Sequence, residues 1–361
     1  MLQRIFAIAV LFCLTVPAQS QAPKYSNEFL AIGVGARALG MSNANTAIVN
    51  DVTSGYWNPA GLFGITSNMQ LGLMHSEYFA GIAKYDYGAL AAKIDATSTA
   101  GLSVIRFGVD DIPDTSELID SDGNINYDKI KSFSAADYAF IFSYARKIKK
   151  LPENLFVGAN FKIIHRKVGD FAHAWGFGLD AGAQYSFGKW KFGGMFRDVT
   201  STFNAWSYNL PQSMIDVFQQ TGNDIPTNSL EITLPRLSLG AARQFTLSEK
   251  FTALACLDFD ATFDGKRNTL IRSKAVSLDP KVGFELSYKN FAFLRAGVGN
   301  FQNETTIQGG KHLLVMPNAG VGFKIKNILT IDYALTNIGS AAIVPYSNVF
   351  SLKLNINRKE K

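Results

Sequence analysis

Short segments in which apolar and polar residues alternate follow one another along most of this chain. In the last segment Phe350, Leu352 and Leu354 alternate with Ser351 and Lys353. Alternation with a period of two gives a β-strand one apolar face and one polar face. Beyond the N-terminal twenty residues there is no run of about 18 apolar residues, so no transmembrane helix is predicted. The pattern therefore favours an all-β wall whose two faces meet different surroundings.

Fourteen such segments can be placed along the sequence. They lie near residues 69–76, 82–94, 100–109, 136–148, 154–166, 175–187, 189–198, 235–246, 251–263, 280–289, 291–300, 318–326, 329–337 and 347–357. An even number of strands brings both ends of a bacterial barrel to the same side of the membrane.

The connections between these segments alternate between short and long. The short ones are 95–99, 149–153, 188, 246–250, 290 and 326–327, and the long ones are 110–135, 167–174, 198–235, 261–278, 301–318 and 336–347. The first connection, Glu77–Gly81, departs from the pattern because it is short where a long one is expected. Tight turns on one side and long loops on the other are typical of outer-membrane barrels. We therefore predict a transmembrane antiparallel β-barrel of about 14 strands, spanning residues 68–357, rather than a soluble all-β protein.

The first twenty residues predict a signal peptide. Arg4 supplies the positive start, Ile5–Val16 forms an uncharged apolar core, and cleavage is expected after Ala18 or Ser20. At the other end, residues 358–361 predict a charged periplasmic tail.

Composition and the reactive residues argue against several functions. Only 18% of the residues are charged, and the formal net charge of +6 comes from scattered cations rather than a basic patch, so nucleic-acid binding is not expected. The four histidines share no metal-ligand spacing, and removal of the signal peptide leaves Cys256 as the one cysteine. No catalytic residues and no cofactor are predicted.

Residues 21–67, ahead of the first strand, predict an N-terminal plug or hatch inside the barrel. The alternative is an ordinary Gly/Ala-rich first element of a soluble domain. Asn58 before Pro59 disfavours a continuing helix at that point. The positions expected to shape this element by close backbone approach, internal charge or packing are Gly33, Gly35, Arg37, Gly40, Asp51, Trp57, Asn58 and Pro59.

Arg37 is a cation among glycines and alanines, so inside a plug it must be paired or hydrated. Asp180 and Asp258 alternate with apolar neighbours on predicted strands and are its expected partners. Trp57 is expected to pack against the inner wall, and Asn58 to bond backbone groups.

This stretch resembles the N-terminal signature of a known family. The residues Gly33–Met41, Ala44–Ala47 and Tyr56–Leu62 resemble the signature of the PorV/PorQ family, within the wider group of outer-membrane barrels similar to FadL. Asp51 fits the family pattern, whereas Thr53 and Gly55 depart from it slightly.

The resemblance implies a fourteen-stranded barrel with the N-terminal segment in its lumen. It also implies a role in the type IX secretion system of Bacteroidetes, as a subunit that binds cargo carrying a C-terminal sorting domain or associates with the translocon and its attachment machinery. The alternative is a FadL-like transporter of hydrophobic small molecules, and a third possibility is a structural barrel that fills a partner's opening. A transporter requires an apolar pocket and a movable plug, whereas a secretion subunit requires a filled lumen and a protein-binding outer surface.

Two further groups of residues have expected roles. An acidic stretch resembles a shortened calcium loop but lacks the bidentate Glu, and a solvated outer loop explains it equally well; its candidate ligands are Asp120, Asp122, Asn124 and Asp128. Aromatic residues toward the strand ends are expected to form the girdle at the membrane interfaces, namely Tyr85, Tyr87, Tyr138, Tyr144, Tyr185, Trp190 and Tyr288.

Overall fold

The chain folds into a closed antiparallel barrel of fourteen strands, as the sequence predicts. The computed structural model describes residues 26–119, 123–148, 151–305, 311–339 and 346–357. The predicted signal peptide and the predicted periplasmic tail lie outside these ranges.

Fourteen strands form the wall, and each pairs with the next along the chain until the last pairs with the first. In order around the barrel they are β1 (Met69–Tyr78), β2 (Ala83–Asp95), β3 (Ser98–Asp114), β4 (Lys131–Lys147), β5 (Leu155–Val168), β6 (Ala172–Phe187), β7 (Trp190–Arg197), β10 (Arg236–Thr246), β11 (Phe251–Thr262), β13 (Ser277–Tyr288), β14 (Ala292–Thr305), β15 (Lys311–Ile325), β16 (Leu329–Thr336) and β17 (Ser347–Ile356).

Three shorter strands belong to the long connections. They are β8 (Thr202–Tyr208), β9 (Ser229–Thr233) and β12 (Ile271–Arg272). The α-helices are α1 (Ala36–Leu39), α2 (Ser54–Trp57) and α3 (Gln212–Gln220), and the 3₁₀ turns are Glu28–Ala31, Pro59–Gly64 and Tyr127–Lys129. No helix in the described part of the chain has the length and apolar character needed to cross a membrane.

The outward face of the barrel is apolar on every strand. One exposed large apolar side chain from each of the fourteen wall strands illustrates this: Leu73, Leu90, Leu102, Phe142, Phe161, Phe177, Phe192, Leu239, Leu257, Phe284, Leu294, Val321, Ile331 and Leu352. A continuous apolar band of this kind is stable in lipid and not in water. The protein is therefore an integral outer-membrane β-barrel.

The expected aromatic girdle is partly wrong. Tyr144, Trp190 and Tyr288 are exposed on the outside, but Tyr85 and Tyr87 are 0% and 3% exposed because their strand turns these positions into the lumen. Position near a strand end therefore does not decide whether an aromatic side chain faces lipid.

The two ends of the barrel differ in the way the sequence predicts. The side with the tight turns faces the periplasm and the side with the long connections faces out. The first connection is short, as the sequence predicts, because residues 79–82 alone join β1 to β2 at the outer end. Phe79, Ala80 and Gly81 take left-handed backbone conformations in this turn.

A bulge interrupts the seventh wall strand. Phe177 of β6 faces Phe203, while Ala181 faces Phe196, so four steps on β6 correspond to seven on its neighbour. Strands β7 and β8 are thus one strand broken by three extra residues, with Asp198 in a left-handed conformation. The strand continues outward beyond the break and carries the hairpin of β8 and β9.

Candidate functional site

Residues 26–67, called the lumen segment below, lie inside the barrel and contact its wall on all sides. The helix α1 packs against β15, β16 and β17, and the turn Pro59–Gly64 packs against β3 to β6. Between them, Met41 lies against β13 and β14, and Thr46 lies against β7. A segment with contacts all round its perimeter occupies the cross-section of the lumen.

Wall glycines let the backbone of the segment approach the strands closely. A methyl group at Gly158 would lie 2.6 Å from the backbone N of Ala60, and one at Gly283 would lie 2.8 Å from the carbonyl O of Met41. Real Cβ atoms do not approach other atoms so closely, so a larger residue at either position would displace the segment. The segment contributes a glycine of its own at Gly40, whose added Cβ would lie 3.1 Å from the Cα of Gly320.

Gly33 and Gly35 have a different role from Gly40. Their φ angles are 106° and 84°, a region that residues with a Cβ rarely adopt. These two glycines bend the chain between the turn Glu28–Ala31 and α1, and the bend places α1 against the wall.

Arg37 is part of a buried charge cluster with Glu285, Arg295 and Asp332. Its Nε and Nη2 atoms donate to the two carboxylate oxygens of Glu285 at 2.9 and 3.0 Å. Arg295 donates from Nε to Glu285 at 2.7 Å and from Nη1 to Asp332 at 2.7 Å. Two guanidinium groups and two carboxylates compensate each other, as buried charges require.

The expected partners of Arg37 are wrong. Asp180 instead accepts an ion pair from Lys162, and Asp258 accepts hydrogen bonds from the backbone N–H groups of Asn45 and Thr46. All three carboxylates lie on inward faces, so alternation alone could not choose among them. Which carboxylate binds Arg37 depends on which strands this part of the segment contacts.

Asp51 forms the second ion pair between the segment and the wall. Its carboxylate forms an ion pair with the ammonium group of Lys353 and accepts hydrogen bonds from the backbone N–H and the hydroxyl of Thr53. Burial alone would raise the pKa of Asp51, but Lys353, Thr53 and Arg37 outweigh burial and hold that pKa below its usual range. The carboxylate is therefore charged at neutral pH.

Asn58 joins the segment to the wall through neutral hydrogen bonds. Its side-chain amide lies 3.0 Å from the carbonyl O of Ala183, 3.1 Å from that of Thr46 and 3.3 Å from that of Gly194. Pro59 follows it, and the wall makes room for this pair with Gly158 and Gly182.

Trp57 bonds within the segment rather than to the wall. Its indole N–H donates to the carbonyl O of Val34 at 2.9 Å, and the ring meets Tyr56 edge to face. The hydroxyl of Tyr56 donates to the carbonyl O of Leu30 at 2.7 Å, so the two aromatic residues fold the segment back on itself.

The segment meets the two halves of the wall by different chemistry. On one side an apolar cluster joins it to β1 to β5; the wall residues of this cluster include Met74, Tyr85, Tyr87, Ile105, Ile141 and Ile164. On the other side, along β11 to β17, the contacts include the charge cluster, Asp258 and Lys353. One half of the interface is therefore largely apolar. The other, called the ionic half below, holds the ion pairs of Arg37 and Asp51 beside a smaller apolar cluster formed by Met41, Ala44, Ala47, Ile48, Ala242 and Cys256.

A third buried ionic group belongs to the bulge. The ammonium group of Lys162 lies 2.7 Å from Asp180 and 2.6 Å from Asp198, and Lys162 is only 3% exposed. Asp198 is one of the bulge residues and turns inward to complete this contact. No pattern in the sequence marks the bulge, so this group was missed.

A cavity of about 720 Å³ opens at the outer end of the barrel, and we call it the outer vestibule. Its floor is the lumen segment, through residues such as Phe29, Ile32 and Leu39. By contrast, the space between the segment and β1, β16 and β17 measures about 20 Å³, which is room for about one water molecule. The larger of these two spaces therefore lies above the segment and not beside it.

The calcium candidate stays a prediction. Asp120 and Asp122 lie outside the described residues. Among the described residues, no group of three or more His, Cys, Asp or Glu side chains is arranged to hold a metal ion. Asp128 is exposed, and its backbone N–H donates to the side chain of Asn126.

No known protein-family model matches the chain, and no curated protein matches it either. Several solved barrels are similar in structure. The toluene transporter TodX of Pseudomonas putida is 14% identical with a TM-score of 0.56, over 90% of this chain and 98% of that one. The toluene transporter TbuX of Ralstonia pickettii is 12% identical with a TM-score of 0.55, over 90% and 99%. A FadL homologue of Pseudomonas aeruginosa is 13% identical with a TM-score of 0.52, over 89% and 98%. At this identity the likeness shows a shared fold.

Proposed function

We propose that this protein admits hydrophobic small molecules through the outer membrane, and that the lumen segment closes it in the conformation described here. The outer vestibule carries this proposal. It is open to the outside, large enough for a small organic molecule, and floored by apolar side chains of the segment. The fold shared with two toluene transporters supports the same reading.

Passage requires the segment to move, because it contacts the wall on all sides. The ionic half of the interface is expected to part first. Water can replace hydrogen bonds and ion pairs there, whereas exposing the apolar half costs about 25 cal/mol for each Å². The segment would then stay attached to β1 to β5 while the contacts of Arg37 and Asp51 open.

A disulfide across the ionic half tests this mechanism. The side chain of Asn318 donates to the hydroxyl of Ser42 at 2.7 Å, so cysteines at these two positions would lie close together. Uptake of toluene into vesicles is measured for Ser42→Cys/Asn318→Cys in a Cys256→Ala background. Oxidation should stop uptake and reduction should restore it, with Ser42→Cys/Cys256→Ala as the control. Equal uptake by the locked and reduced forms would refute the mechanism.

A second candidate function is a non-enzymatic subunit of type IX secretion. The filled lumen favours it, because a barrel that serves as a binding surface needs no open channel. The PorV/PorQ-like residues of the lumen segment favour it as well. Its partners would be the translocon or cargo with a C-terminal sorting domain, bound by the outer connections 110–135 and 198–235 while lipid surrounds the wall. The second connection holds α3 and the hairpin of β8 and β9.

A pull-down from native membranes separates the two functions. Recovery of secretion components or sorting-domain cargo would support the second. If neither is recovered while the purified protein retains a hydrophobic small molecule, the secretion role fails.

A further inference from the structure

The outer vestibule has an uneven distribution of charge. The cations among its described lining residues are Arg236, Arg267 and Lys281. Each has a carboxylate partner: Lys281 pairs with Asp260, and both arginines lie near Glu28, at 3.7 Å for Arg236 and 3.1 Å for Arg267.

Arg267 has a second carboxylate partner. Its Nε atom donates to both carboxylate oxygens of Asp264, at 3.0 and 2.9 Å. A ligand carboxylate entering the vestibule would therefore have to compete with carboxylates already bound to these cations.

Asp279 is the carboxylate of the lining that is not among the partners of these three cations. It lines the vestibule on β13, and its Oδ1 atom is buried without a hydrogen-bond partner among the described residues. The nearest inward-facing cation on its own strand, Lys281, is bound to Asp260. A buried carboxylate oxygen without a donor is costly, so a ligand that supplies a donor to it is favoured.

Other oxygen atoms of the same lining also lack donors. The side-chain oxygen of Asn43 has no hydrogen-bond partner in the described part of the chain, and neither do the hydroxyls of Tyr78, Thr262 and Thr336, which can accept or donate. The polar part of the vestibule thus has obligate acceptors without donors at Asp279 and Asn43, beside hydroxyls that can accept as well as donate. A ligand that completes it must bring hydrogen-bond donors, and one positive charge would balance Asp279.

Apolar side chains line the same cavity. Phe29, Ile32 and Leu39 form its floor, and Phe107 and Met316 lie on its walls. A ligand therefore meets apolar surface and an unbalanced carboxylate in one space.

From these observations we infer that the outer vestibule binds amphipathic cations, that is, molecules with an apolar body and an ammonium head that donates to Asp279. This inference rests on the proposed entry of small molecules and names the class that the site selects. It separates such molecules from plain hydrocarbons, which leave Asp279 without a donor, and from carboxylates, which find the cations already paired.

The test compares three ligands of equal chain length, decylammonium, decanoate and decanol, binding to the full chain in lipid nanodiscs. Wild-type protein and Asp279→Asn are measured in identical discs, so that partition into lipid cancels. Asp170→Asn is the matched control, since Asp170 is a 98% exposed carboxylate on an outer connection and pairs with Lys167. Electrophoretic mobility before and after heating checks that each variant is folded.

Decylammonium should bind wild type at least about tenfold more tightly than decanoate or decanol, and Asp279→Asn should lose about that factor for decylammonium alone. Asp170→Asn should bind like wild type. Binding of decanoate or decanol as tight as that of decylammonium, or an unchanged affinity in folded Asp279→Asn, would overturn the inferred class and leave the entry function standing. Absence of binding by all three ligands would also overturn the inferred class, and the entry function would then be decided by toluene uptake alone.

Discussion

Arg37 shows how much of the attachment of the lumen segment depends on one residue. It makes two hydrogen bonds to Glu285, which is 8% exposed. Removing one member of a buried ion pair costs about 3 kcal/mol, because the other charge stays buried. Arg295 would still bind Glu285, so the cluster would be weakened rather than lost.

We therefore predict that Arg37→Leu loosens the lumen segment and raises the permeability of cells to small antibiotics. Trp57→Ala should act in the same direction, because the 5% exposed ring packs in the apolar cluster and bonds to Val34. The double variant Arg37→Leu/Glu285→Leu should leak less than Arg37→Leu, since it leaves one guanidinium, Arg295, with one carboxylate, Asp332. Permeability is measured by antibiotic sensitivity at equal barrel abundance. Wild-type sensitivity of Arg37→Leu with normal abundance would mean that the segment does not seal the lumen.

The lowered pKa of Asp51 indicates how the attachment of the lumen segment to the wall should depend on pH. A carboxyl group whose pKa is lower in the folded state stabilises that state above its unfolded pKa, about 3.9 for Asp. The contribution is lost as the pH falls below that value toward the folded pKa. The pair with Lys353 should therefore hold from pH 8 to about pH 5 and weaken below about pH 4.

Hydrogen exchange of the lumen segment checks this prediction, with Asp51→Asn as the comparison. The variant should exchange faster than wild type at pH 7, and the difference, after correction for intrinsic rates, should shrink in acid. A difference that stays constant from pH 7 to pH 3 would show that the charge of Asp51 does not hold the segment.

At the scale of the strand, neighbouring glycines on β7 give a matched pair of positions. Gly193 points inward, and an added Cβ would meet the backbone of Thr46 and Ala47. Gly194 points outward, where an added Cβ would lie 3.7 Å from Leu239, an ordinary contact. Adjacent positions on one strand thus face the segment and the lipid.

We predict that Gly193→Val displaces the lumen segment and Gly194→Val does not. The cost at the inward position should reach about 1–3 kcal/mol, as overpacking of a filled interior usually does. Protease sensitivity of the segment in intact vesicles measures the displacement. Equal sensitivity of the two variants would contradict close packing between segment and wall.

The strands could be predicted from sequence, but the contacts between strands and segment could not. All fourteen wall strands overlap the fourteen predicted segments, because alternation and turn length are local properties. β3 and β4 run further outward than predicted, since Ile112 pairs with Phe133 beyond the alternating part. Contacts between residues distant in sequence determine the charge cluster, the bulge at Asp198 and the outer vestibule. The local alternation of apolar and polar residues does not indicate those contacts.

At the scale of the whole molecule, the barrel and the lumen segment are separable in the chain. The wall begins at Met69, and its outward face meets lipid without help from residues 26–67. We predict that a chain lacking residues 26–67, with the predicted signal peptide kept, still inserts but forms a wide pore. The wall glycines and the inward carboxylates would then line a water-filled pore.

Single-channel recording in planar bilayers checks this prediction against the full chain, which should conduct little. An inserted, heat-modifiable barrel without the segment that conducts no more than the full chain would contradict it. Failure to insert would show instead that the wall needs the segment in order to form.

The unequal halves of the interior also bear on the order of assembly. The apolar contacts of the lumen segment are mostly with β1 to β5, which follow it directly in the chain, whereas its ionic contacts are mostly with β11 to β17. Contacts between residues near in sequence form soonest. The segment and the first five strands would then make an early half-shell, and the later strands would close round a segment already seated. On this view the seam between β1 and β17 is the last to form, and the ion pairs of Arg37 and Asp51 mark the end of folding.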